Sequence, residues 1–129
     1  MFVDASAIVA ILNRETEGEQ LIRLLEGTTA TTSAIALYEA AHAVARVKSI
    51  PLVEAAEIVL NFLEQSEIAL VPITGEAGRL AIEASSRFGK GSGHPARLNM
   101  GDCFSYAMAK LARAKLLYKG NDFAHTDLG

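Results

Sequence analysis

The chain has 129 residues, half of them hydrophobic and 21% charged, which suits a single domain over 1–129 with one ordinary core and excludes a low-complexity or disordered chain. No apolar run approaches the ~20 residues of a membrane span, and a single cysteine, Cys103, excludes an internal disulfide. The net charge of −3 does not advertise nucleic-acid binding, but residues 1–78 carry four basic and eleven acidic side chains whereas residues 79–119 carry eight and two, so a local basic surface is available on an acidic protein.

The start, MFVDASAIVAIL, has an acid at position 4 and no basic stretch, so a signal peptide is not expected. With its one thiol in an apolar helical run, the chain fits a reducing cytoplasm. Met1–Val3 reads as a short buried strand that stops at Asp4. Ser6 is the expected cap of a helix to about Leu12. Gln20–Glu26 has helical spacing and ends at Gly27. Thr28–Thr32 is β-prone, and Ser33 caps a helix with Ile35, Leu37, Tyr38 and Ala41 on its apolar side. Pro51 opens a helix over Leu52–Gln65. Ile68–Val71 reads as a strand closed by Pro72. Thr74 caps a helix to about Phe88. Gly89–Asn99 is irregular, Asn99 caps a helix over Gly101–Ala114, and Leu116–Tyr118 is a last strand before the turn GNDF.

Strands separated by helices predict an α/β fold: a mostly parallel sheet of about four short strands between helices on both faces. Ligands of such sheets bind beyond the carboxyl ends of the strands. That rule selects Asp4, directly after the first strand, and Asp122, shortly after the last.

Four acids stand in apolar or tightly turned surroundings: Asp4 in FVDASA, Glu39 in ALYEAAHAV, Asp102 in NMGDCFSYA and Asp122 in LYKGNDF. Converging carboxylates repel one another and lose hydration, so they stay ionised only beside a cation. A small set of hard oxygen ligands suits Mg²⁺ or Mn²⁺. Such an ion activates a water for attack on a phosphodiester. Each acid also has a local explanation. Asp102 lies three residues after Asn99, a capping-box spacing that also suits the helix dipole. Asp122 suits an Asn-Asp turn, and Glu39 suits a solvated helix face. Asp4 has the least local reason to be acidic. Spacing alone leaves open whether the four meet.

The stretches FVDASAIVAIL, YEAAHAV, LNMGDCFSYAMAK and LLYKGNDFAHTD resemble those of the PIN-domain ribonucleases, and among them the VapC toxins of type II toxin–antitoxin systems. The resemblance spans essentially the whole chain. It implies a three-layer α/β/α PIN fold and Mg²⁺- or Mn²⁺-dependent cleavage of RNA. By motif position Asp4, Glu39, Asp102 and Asp122 are the four family acids, with Asp4 and Asp102 the most direct metal ligands. Ser6 is implied to hydrogen-bond a carboxylate or the metal's waters, Asn121 to contact substrate or hold its turn, and Asp127 to assist. The resemblance also implies a homodimer and a cognate VapB-type antitoxin, with operator DNA bound through the antitoxin.

In the irregular segment, Lys90, His94 and Arg97 alternate with Gly and Pro and are candidate RNA contacts beside the Asp102 helix. Glu39 and His42 form a Glu-x-x-His pair, but a di-iron bundle needs a second pair, which is absent. GKGS at 89–92 lacks the residues of a phosphate loop. Two other functions compete: a haloacid-dehalogenase-like phosphatase with Asp4 as nucleophile, and a non-catalytic partner-binding module. The first wants an acid two residues after Asp4, where the chain has Ser6.

Overall fold

A computed structural model describes residues 1–129. The elements run β1 (Phe2–Val3), α1 (Ala5–Leu12), α2 (Gly18–Leu25), β2 (Ala30–Thr32), α3 (Ala34–Lys48), α4 (Leu52–Gln65), β3 (Ile68–Leu70), α5 (Gly75–Phe88), α6 (Met100–Leu111) and β4 (Leu116–Leu117). The four strands form one sheet in the order β3-β2-β1-β4, and every pairing is parallel.

The shortest strands show how the layers arise. Successive residues of a strand face opposite ways. Phe2 of β1 and Leu116 of β4 join one apolar cluster with Ala77, Phe88, Leu98, Tyr106 and Phe123. Val3 and Leu117, one residue on, join the other with Ile8, Ala40, Val44, Val59 and Leu63. Thus α5 and α6 cover one face, and α1, α3 and α4 cover the other. The fold is the expected three-layer α/β arrangement.

Ser33 and Thr74 cap their helices as expected, accepting from the backbone amides of Ala36 and Ala77. The first helix differs: its cap is Asp4, not Ser6, and the Ser6 amide donates to the Asp4 carboxylate. The acid with the least apparent local reason therefore has one. Helix α2 starts at Gly18, two residues before the expected Gln20. Helix α6 stops at Leu111, because Arg113 turns into the left-handed region (φ 51°).

The irregular segment after α5 is closed at its base. The Leu98 amide donates to the Phe88 carbonyl, and the Lys90 amide donates to the Leu98 carbonyl. Inside it, the Ser92 hydroxyl donates to the Gly89 carbonyl. These bonds fix where the chain enters α6 and hence where Asp102 stands.

Candidate active site

Asp4 sits where β1 becomes α1, at the carboxyl edge of the sheet. Its amide donates to the Leu117 carbonyl of β4 (2.9 Å), and its side chain is only 3% exposed. Burial on this scale demands partners for both oxygens. Oδ2 accepts from the Ser6 amide (2.9 Å) and hydroxyl (2.6 Å), and Oδ1 accepts from the Ser105 hydroxyl (2.5 Å). The Ser6 oxygen in turn accepts from the Lys119 amide (3.0 Å). Asp4 is thus locked to β4, α1 and α6 at once, and Ser6 takes the expected carboxylate-binding place.

Asp102 stands in the first turn of α6. The capping box is formed: the Asp102 amide donates to Asn99 Oδ1 (2.9 Å), and Asp102 Oδ2 accepts from the Asn99 amide (3.0 Å). Capping engages Oδ2 only, and Asp102 also lines the cleft described below. Burial does most to push its pKa up, with Asp4 and Asp122 adding repulsion. The Asn99 amide and Lys90 oppose them, and the carboxyl ends at about 6.

Glu39 projects from α3 toward the amino end of α6. Its carboxylate lies against the Cα of Gly101, where any Cβ would collide with it. Glycine at 101 is therefore what admits this acid. Burial, then Asp4, then Asp102 push the Glu39 carboxyl up to about 7, and no hydrogen bond relieves it. The expectation of a merely solvated helix face does not hold for this residue, which is half-buried.

Asp4, Glu39, Asp102 and Asp122 all line one open cleft of about 490 Å³, together with Ser6, Asn99, Tyr38, His42, Arg46 and Lys119. Asp122 is the exposed member at its rim. No three of the acids form a closed ligand set. That suits Mg²⁺, which keeps several waters and takes only one or two carboxylates directly. The donor set consists of hard oxygens, and burial first, then mutual repulsion, pushes the carboxyls of Glu39 and Asp102 up. The residues present fit a divalent cation.

A neighbouring recess is lined by Lys90, Pro95, Ala96, Arg97, Asn121, Asp122 and His125. It shares Asp122 with the cleft, so Lys90, Arg97 and Asn121 stand beside the acids. His94 does not line either space. Its ring meets Phe88 edge-on with centroids 4.9 Å apart, and its Nδ1 accepts from the Ala96 amide (3.0 Å). It shapes the loop rather than facing the acids.

Asp127 is likewise placed elsewhere. It lines a separate recess, accepting from the Tyr106 hydroxyl (2.6 Å) and the Lys110 ammonium (2.7 Å). Partial burial acts to raise its pKa, but those two donors outweigh it and the net shift is downward. Tyr106 is pushed up to about 12, by burial first and then by Asp127. The geometry gives Asp127 a tie between α6 and the tail and no contact with the cleft.

The places of five residues escaped the sequence reading. Ser105 lies three residues after Asp102, a spacing that shares a helix face and marks it in hindsight. Gly101 carries no side chain to notice. Tyr38, His42 and Arg46 recur every four residues beside Glu39, and His42 drew notice only for its Glu-x-x-His spacing. Cys103 is buried, and burial pushes its thiol's pKa up, Asp102 adding to the rise.

A family profile described as PIN domain matches residues 1–128. The chain belongs to the PIN-domain family. It is 41% identical to a VapC ribonuclease of Rhizobium meliloti over 99% of both chains. It is 40% identical to one Mycobacterium tuberculosis VapC ribonuclease, over 98% of this chain and 93% of the relative. A second from that organism is 37% identical over 99% and 96%. In this PIN domain the acids arrive from four separate segments: the end of β1, the middle of α3, the start of α6 and the turn after β4.

Proposed function

We propose that this PIN-domain chain is a metal-dependent endoribonuclease and the toxin of a type II toxin–antitoxin pair. One observation carries the reading: four carboxylates from distant segments share one cleft, and Glu39 and Asp102 hold their protons unusually tightly there. The names of its relatives supply the substrate class, RNA.

Asp4 and Asp102 would hold a Mg²⁺ or Mn²⁺ ion, with Glu39 and Asp122 completing the pocket directly or through water. When bound, such an ion supplies Lewis acidity and a lowered pKa for water. The chain's own residues do the rest. Ser6 and Ser105 fix the Asp4 carboxylate so that it cannot turn away. The Asn99 amide fixes Asp102 by one oxygen. Lys90 and Arg97, next to Asp122, attract the RNA backbone.

A VapB-type antitoxin, a homodimer and operator binding through the antitoxin complete the proposal, with the cytoplasm as the compartment. No helix is long and apolar enough to cross a membrane. The test is purified chain with end-labelled RNA. Cleavage appears with Mg²⁺ or Mn²⁺, stops with EDTA and is lost in Asp4→Ala. Cleavage that persists in EDTA refutes the metal mechanism. An intact RNA under every condition leaves the partner-binding module.

A further inference from the structure

Helix α3 brings more than Glu39 to the cleft. Tyr38, His42 and Arg46 stand at i, i+4 and i+8, so they form a row along one face. All three line the cleft beside the acids. The row covers ~12 Å of helix at 1.5 Å per residue.

Two members are exposed, and the third buries a polar atom without a partner. Tyr38 is 66% exposed. Its ring rests on that of His42, with centroids 4.5 Å apart and planes tilted by 54°. The ring thus has one aromatic neighbour and is otherwise largely open to solvent. His42 Nε2 is buried beneath it without a hydrogen-bond partner. Arg46 is exposed and takes part in none of the ion pairs, which engage Lys110 and Lys119. A supported aromatic ring followed by an unengaged guanidinium is the surface on which single-stranded nucleic acid is held: bases stack on rings, and the cation meets the backbone. The alternative occupant, a basic protein segment drawn to the four acids, would meet Arg46 as a like charge.

Resting on the ribonuclease reading above, we propose that the Tyr38–His42–Arg46 row is a nucleotide subsite. A base of single-stranded RNA next to the scissile phosphate stacks on Tyr38, His42 supports that ring, and Arg46 binds the adjoining backbone phosphate. Lys90 and Arg97 lie on the Asp122 side of the acids, so the strand crosses the carboxylates with contacts on both sides of the bond to be cut.

The experiment uses single-stranded RNA carrying 2-aminopurine, in an Asp4→Asn background that binds without cutting. Bound RNA should show 2-aminopurine quenching. Tyr38→Ala and Arg46→Ala should each weaken RNA affinity about tenfold, within the range for loss of a stacked base. Tyr38→Ala should also abolish the quenching, and Tyr38→Phe, which keeps the ring, should retain it. In the parent chain, the same substitutions should act mainly through KM for RNA. Unchanged affinity and quenching in Tyr38→Ala overturn the subsite. So does a Tyr38→Ala chain that keeps its RNA affinity but loses a protein partner, which would make the row a protein-docking face. If the parent cuts no RNA with either metal, the ribonuclease reading falls, and the quenching still decides the subsite.

Discussion

Replacing Glu39 by Gln removes a charge that its surroundings disfavour, so it should stabilise the metal-free protein at alkaline pH. The folded state raises this carboxyl from 4.5 to about 7. The folded chain therefore binds the proton more tightly than the unfolded chain does. Stability from this group is complete below about pH 4.5 and is lost as the pH rises through about 7. At ~1.4 kcal/mol per pH unit the full rise corresponds to about 3 kcal/mol. Glu39 is only half-buried, and solvent screening reduces this to about 1–2 kcal/mol. For a chain of this length that is about 5 °C in Tm. The assay is thermal unfolding followed by circular dichroism in EDTA, from pH 5 to 8. The parent should lose stability over that range, and Glu39→Gln should lose about 1–2 kcal/mol less. Added Mg²⁺ at pH 8 should restore the parent by linkage, about 2.7 kcal/mol at a hundredfold excess over Kd, and restore the variant much less. Parallel pH profiles for parent and variant in EDTA would refute the assignment of Glu39 as a buried, repelled carboxylate.

Gly101→Ala should cut Mn²⁺ affinity and RNA cleavage at least tenfold, because the new methyl takes the place of the Glu39 carboxylate. Alanine's better helix propensity, roughly 1 kcal/mol, should keep the fold intact in melting curves, and full activity would contradict the packing described. Ser105→Ala leaves buried Asp4 Oδ1 without its donor and should cost about 1–3 kcal/mol in urea unfolding; an unaltered midpoint would count against that hydrogen bond. Asp127→Asn should leave RNA cleavage within about twofold of the parent, since its partners are Tyr106 and Lys110 outside the cleft. A large loss of turnover in that variant would return Asp127 to the active site.

Local chemistry made most of the elements legible. Helix caps at Ser33, Thr74 and Asn99 announce themselves because a short polar side chain before an apolar run satisfies free amides. The β/α alternation likewise dictates a parallel sheet, and the resemblance of the acid-bearing stretches named the family. The start of α1 was misread, because Asp4 and Ser6 are both competent caps and only the backbone path chooses between them.

The sequence by itself determined which acids were unusual, since charge in an apolar stretch is visible without coordinates. It could not say what each would touch. Capping and catalysis looked like rival explanations of Asp102, yet the capping bond takes only one carboxylate oxygen and the residue still lines the cleft. Asp127 looked like a fifth acid until the tail folded it onto Tyr106 and Lys110. Ser105, Gly101 and the Tyr38–Arg46 row gained their roles only when α3 met the start of α6. The physical reason is that burial, repulsion and steric room are properties of pairs of segments far apart in the chain, and only the packed sheet and helices set those distances.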